Sequence, residues 1–228
     1  MSDILSAIKA RGYWGLQIRP TSFDGRRIPN ISELFQLTSR SSVQLRGWDF
    51  PHIDMRNEPR IGVDWVEQDI DWGEHKEAWR MYQSGQFVYY GAYGLDWAED
   101  TTGWVPAPPV PPQGKLLSTG DVVCRYAEFF EFAAALTLSP AGAGEMYVSV
   151  LATSLSGREL WMTTPGQLWV WERPKATVPE FEQHAVFARD ELVSRTRHIG
   201  NTWAQELFRR FGWDPPDEFM EVIRAEFR

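Results

Sequence analysis

Cysteine is all but missing: Cys124 is the single one in 228 residues. One thiol closes no intramolecular disulfide and builds no cysteine-based zinc cluster, which points to a reducing, cytoplasmic setting. Histidine is scarce, with four residues. Basic charge is in deficit: 23 Lys and Arg stand against 31 Asp and Glu, a net charge of −8. That balance lacks the bulk attraction for polyanions on which nucleic-acid binding rests. No run approaches about 18 apolar residues, so no membrane span is expected. Met1-Ser2-Asp3-Ile4-Leu5 has no basic stretch ahead of an apolar one and does not read as a secretory leader. Familiar catalytic strings are also missing: no Gly-x4-Gly-Lys phosphate loop, no Gly-x-Gly-x-x-Gly, no Gly-x-Ser-x-Gly elbow and no His-Glu-x-x-His.

What is present is ordinary globular material, 43% hydrophobic and 24% charged, with one excess. Twelve tryptophans are several times the usual share. Tryptophan serves either a bulky core or a surface on which sugars, bases and cations stack, and composition fits both.

The strongest break is Val105 to Lys115, which holds five of the 15 prolines. Proline restrains its neighbours and cannot donate to a ladder, so this stretch reads as an extended linker. It separates an N-terminal α/β half, 1–104, from a C-terminal α+β half, 116–228, unless the two build one continuous domain. In the first half the pattern predicts a helix over 3–10 and a strand over 13–19. The capping-box spacing Asn30-Ile31-Ser32-Glu33 opens a helix to Arg40. A second strand over 43–48 would complete a β-α-β opening. A strand over 62–72 follows, and then a hairpin, 78–82 with 86–93, turning at Gln83-Ser84-Gly85.

The second half opens with a helix capped at Ser118 to Asp121, with Val122, Tyr126, Phe129, Phe130, Ala133 and Leu136 near the helical period. Cys124 inside it reads as a buried, inert thiol. Strands are expected over 146–151 and 158–162, joined around Gly157, and over 167–171. Thr177-Val-Pro-Glu180 carries cap, first-turn proline and capping-box glutamate, which predicts a helix to His198. Two more helices, over 203–211 and from Asp214 onward with Phe219, Ile223 and Phe227 on one face, end the chain. The class is α+β: an antiparallel or mixed sheet with packed helices and a helical C-terminal segment.

Chemistry concentrates between positions 46 and 80. His52-x-Asp54 and His75-x-Glu77 repeat one spacing, and on an extended backbone i and i+2 share a face. With Asp71 they form a candidate mixed N/O set, His52, Asp54, Asp71, His75 and Glu77, suited to a divalent metal and hence to a hydrolase or nuclease. No other cofactor is expected. Arg46, Trp48, Asp49, Trp72 and Arg80 form a candidate ligand or partner surface. The plainer alternative is a solvated acidic strand face, with Arg46 or Arg80 paired to its carboxylates. Arg19, Arg26 and Arg27 offer guanidinium forks that suit phosphate, the one local argument for nucleic acid in a chain whose charge speaks against it.

The strings RGYW…IRP, RGWDFPH and WRMYQSGQFV, followed by a helix like Tyr126 to Phe132, resemble an uncharacterised family of bacterial proteins over residues 11–137. The family has no established activity, so the resemblance lends no residue a role; it implies at most an accessory or sensing part beside regulatory or defence modules. The expectation is a binding or accessory protein that recognises a protein partner or small ligand and can self-associate.

Overall fold

The computed structural model describes residues 2–100, 114–162 and 173–226, with Glu99, Asp100 and Glu226 described in backbone only. The body of the proline-rich linker, the strand expected over 167–171 and Phe227 lie outside these residues.

The chain begins with helix α1 (Asp3–Arg11), where Ser2 accepts the main-chain N–H of Leu5 as N-cap. Strand β1 (Tyr13–Pro20) and helix α2 (Glu33–Ser41) follow. Next come two-residue strands β2 (Val43–Gln44), β3 (Asp49–Phe50) and β4 (Arg60–Ile61). Strands β5 (Trp65–Trp72), β6 (His75–Tyr82) and β7 (Phe87–Ala92) form a meander whose two turns use Gly73 and Gly85 at positive φ, 59° and 85°. A 3₁₀ turn (Gly94–Asp100) precedes the undescribed stretch, after which β8 (Leu116–Ser118) leads into the 20-residue helix α3 (Thr119–Leu138). Then come β9 (Glu145–Ala152), β10 (Glu159–Trp161), β11 (Phe181–Ala188) and helices α4 (Arg189–Ser194), α5 (Thr196–Arg209) and α6 (Asp217–Glu226).

Seven strands form one antiparallel sheet in the order β11-β9-β1-β7-β6-β5-β4. β1 is an interior strand: it pairs with β7 on one side and β9 on the other, so strands from both sides of the linker share the sheet. The fold is α+β with a helical C-terminal segment, as the pattern predicts. Among the described residues no helix is long and apolar enough to cross a membrane.

The side chains of β1 alternate, and Trp14, Leu16 and Ile18 point inward with Trp79, Met81, Phe87, Tyr89, Val148 and Val150 of its neighbours. Helix α3 lies on this inner face and is itself covered by α5, so it is buried nearly all round: 16 of its 20 residues are buried. A Cβ added to Gly200 of α5 would stand 3.3 Å from the carbonyl of Tyr126, which is why the two helices meet at a glycine. Phe50 is the wedge between layers, with ring centroids 4.9 Å from Tyr89, 5.3 Å from Phe129 and 5.8 Å from Phe132. On the outer face α1 covers only β5 to β7, burying Ile8 beside Ala92 and Trp97.

Three expectations fail here. The strand over 43–48 does not join the sheet; Val43 and Gln44 pair only with Phe50 and Asp49, and no β-α-β unit forms. That segment is drawn instead onto α3, where Arg46 finds two carboxylates. β10 does not return against β9 but pairs in parallel with β8. Finally, the helix expected over 177–198 is strand β11 followed by the short α4. Phe181, Gln183, Ala185 and Phe187 alternate onto the inner face, and this two-residue period overrides the capping-box signal at Thr177, whose N–H and hydroxyl both bond to the carbonyl of Arg210.

Candidate functional site

The His75 end of β6 and the N-terminal end of α3 form the two sides of a cleft of about 210 Å³, lined by Arg46, Trp48, His75, Ser118, Asp121 and Arg125 among others. Trp72 and His75 are cross-strand partners. On β6 the i, i+2 rule holds: His75 and Glu77 share the inner face, with His75 Nε2 3.2 Å from Glu77 Oε2. Glu77 is fully buried. It accepts the main-chain N–H of His52 at 2.6 Å and the hydroxyl of Tyr89 at 3.1 Å. Burial pushes this carboxyl upward, but His75, Arg125 and the His52 N–H outweigh it and hold it below the usual glutamate range.

Tyr89 passes the network on to α3 by accepting from Arg125 Nη1 at 3.0 Å. Burial raises the Tyr89 hydroxyl well above the usual phenol range, so it stays protonated and donates to Glu77. Arg125 Nη1 is 3.3 Å from Glu128, which is 0% exposed. Arg46 grips the same carboxylate with Nε and Nη2, both at 2.8 Å, and reaches Asp121 with Nη1 at 2.9 Å. The other oxygen of Asp121 accepts the indole N–H of Trp14. Burial pushes Asp121 upward, yet Arg125 and Arg46 overcome it and hold the carboxyl low. Charges that would be costly alone are thus mutually neutralised beneath the cleft.

Above this floor lies a row of rings. The guanidinium of Arg46 is 5.7 Å from the Trp48 ring, Trp48 is 5.9 Å from His75, His75 is 5.7 Å from His52, and His52 is 4.2 Å from Trp72. Arg56 ends the row 5.9 Å from Trp72. Trp48 and Trp72 are 47% and 41% exposed, whereas Trp14, Trp79, Trp97 and Trp203 are buried. His52 is fixed from both sides of its main chain, because its carbonyl accepts the indole N–H of Trp79 at 2.9 Å.

The structure therefore brings His52, His75, Glu77, Arg46, Trp48, Asp49 and Trp72 to one place and separates Asp54, Asp71 and Arg80 from it. Asp54 is a loop fixture: it accepts the N–H of Arg56 and the amide of Asn57, and the first of these holds its carboxyl low. Asp71 alternates onto the face opposite Trp72 and pairs with Lys76. No three His, Cys, Asp or Glu among the described residues are arranged to hold a metal ion. The proposed five-residue metal set is thereby corrected, because β5 alternation sends Asp71 away and the 54–57 turn takes Asp54. The buried ring nitrogens His52 Nδ1 and His75 Nε2 make no hydrogen bond; their neighbours are Asp49 Oδ1 at 3.8 Å and Glu77. Asp49 also accepts the N–H of Ile53.

Arg80 belongs to the outer face, where it and Arg60 share Glu67, and Arg60 also binds Asp69. This is the solvated ion-pair face that the acidic alternation suggests. Arg46, by contrast, pairs with α3 and not with the acidic window. The three arginines do not converge: Arg19 lies on β1 over Tyr147, Arg27 bonds to Ser22 and the carbonyl of Gly142, and Arg26 is exposed. Sequence reading passes over Asp121, Arg125 and Glu128. Their spacing, four and then three residues, marks one polar stripe in an otherwise apolar helix, and that is the signal. Cys124 beside them is buried, with its thiol pushed by burial up to about 12, so it is inert.

Comparison with protein-family models, with curated proteins and with solved structures finds no match. The functional reading rests on the geometry of the chain alone.

Proposed function

We propose that this chain is a bacterial, cytoplasmic recognition protein in which the row Trp48–His75–His52–Trp72 receives a small ligand, or a side chain of a partner protein, with a flat face able to stack. One observation carries the reading: the two most exposed described tryptophans bracket two histidines in one row, whose Trp48 and His75 end lines a cleft. Large rings left in water at one spot, beside a rigid and neutralised polar floor, are the usual make-up of a binding site. The buried guanidiniums and carboxylates act as framework. The imidazoles and indoles supply the contacts.

The test is native mass spectrometry of untagged protein purified without chelator, set against its denatured mass. An organic adduct that is lost in Trp48→Ala and Trp72→Ala supports the reading. An adduct that survives both substitutions places the ligand elsewhere and overturns it. The pairing of His75 with the buried Glu77 favours a second reading, an imidazole oriented for proton transfer as in a catalytic dyad. A hydrolytic activity of the purified protein that is lost in His75→Ala and in Glu77→Gln would bring that reading forward.

A further inference from the structure

The two edges of the main sheet are built differently. At one edge β4 is two residues long, follows Pro59 and begins with Arg60. At the other, β11 runs for eight residues, Phe-Glu-Gln-His-Ala-Val-Phe-Ala, without Lys, Arg, Pro or Gly. Short length, basic charge and proline are the devices by which edge strands resist pairing, and β11 has none of them. Its Val186 is 52% exposed.

The direction of its main-chain groups follows from the ladder. Arg189 N–H bonds to the carbonyl of Gly144, and the same register continues through Phe187 with Met146, Ala185 with Val148 and Gln183 with Val150. In an antiparallel pair, residues whose main chain faces the partner alternate with residues whose main chain faces away. Odd-numbered positions of β11 therefore bond to β9. Glu182, His184 and Val186 turn their N–H and C=O groups outward, and no turn or loop bond of the described residues takes them; the carbonyl of Ala188 instead opens α4 as its N-cap. Two side chains add to this. Gln183 carries a buried Oε1 with no hydrogen-bond partner. Glu182 is anchored by Ser149 Oγ through Oε1 alone, at 2.9 Å, which leaves its second oxygen free.

We infer that β11 pairs antiparallel with β11 of a second copy, about a two-fold axis at Gln183, joining two sheets into one. In this register Glu182 of each protomer stands opposite His184 of the other, and their outward main-chain groups bond reciprocally. Gln183 meets Gln183, whose amide N–H groups can reach the orphaned Oε1. Moving the axis to His184 would set imidazole against imidazole and leave Gln183 facing Ala185. The interface is isologous, as a closed dimer requires.

Sedimentation velocity of the full chain, from low micromolar up to about 100 µM, tests this. The expected result is a concentration-dependent dimer. His184→Pro removes an outward N–H and leaves the β9 ladder bonds, so it should give a monomer with unchanged circular dichroism. His184→Glu sets carboxylates against Glu182 and should weaken the dimer roughly tenfold, while His184→Lys should tighten it. These two solvent-facing variants keep the test decisive if the proline variant does not fold. A chain that stays monomeric throughout, or a dimer indifferent to Glu and Lys at position 184, overturns the proposal.

Discussion

The imidazole of His75 lies 3.2 Å from the buried carboxylate of Glu77, and that carboxylate also takes the main-chain N–H of His52. One side chain of β6 thus holds both histidines of the cleft. Because the folded state lowers the pKa of Glu77, its ionisation stabilises the fold fully at neutral pH. The contribution declines as pH falls below about 4.5, the ordinary glutamate value, and is gone once pH has passed through the folded value. Glu77→Gln should cost about 1.5–3 kcal/mol at pH 7, the range for hydrogen bonds to a charged group. The gap from wild type should close on the acid side. Urea denaturation at pH 7, 5, 4 and 3 measures it; a gap that is constant with pH would mean that Glu77 is not ionised in the fold.

Trp48 and Trp72 should separate stability from recognition. Each is more than two-fifths exposed, and neither sits in the main core. Trp48→Ala and Trp72→Ala should each shift unfolding by no more than about 1 kcal/mol. Trp14→Ala and Trp79→Ala, which empty buried space, should cost about 3–5 kcal/mol. Thermal unfolding of the four variants makes the comparison. A severe loss in the first pair would assign the exposed rings to the scaffold.

The class of the fold was legible because period-two and period-3.6 stretches alternate cleanly through Tyr13–Pro20, Trp65–Ala92 and Thr119–Leu138. It failed where two signals competed. Thr177 to Glu180 reads as a helix start, yet the next residues alternate, and packing of Phe187 against Phe130 and Trp203 decides for strand. The site was half legible. His75 with Glu77 could be placed together from spacing, whereas the same spacing misplaced Asp54, which its own turn holds away from His52. Asp121, Arg125 and Glu128 reach the same cleft from more than 40 positions further on, and only the packing of α3 beneath β6 and β7 brings them there.

Arg158 and Asp96 make the other fully buried ion pair, and it ties distant segments together. The guanidinium binds both oxygens of Asp96 and also donates to the carbonyls of Arg11, Leu116 and Ser154. A lysine keeps the charge but not the planar fork that meets so many acceptors. Arg158→Lys should therefore destabilise by about 1–3 kcal/mol, the cost of leaving buried acceptors without their donors. Denaturant unfolding monitored by tryptophan fluorescence reads the loss. A change below about 1 kcal/mol would show that charge alone suffices at this position.

Arg46 and Glu128 give the sharpest test of whether the cleft floor is framework. Their double contact joins the 43–50 segment, which carries Trp48, to the middle of α3. Glu128→Ala leaves Arg46 and Arg125 to share Asp121 alone, and Arg46→Ala leaves a buried carboxylate short of its main counter-charge. Each single change should cost about 3–5 kcal/mol. The double variant should cost less than the sum, by about 1–3 kcal/mol, because the second deletion removes a charge already stranded. Additive losses in a double-mutant cycle would mean that the two side chains act independently. The rings of Trp48 and His75 would then be held by something other than this ion pair, and the cleft would lose its rigid floor as the basis for recognition.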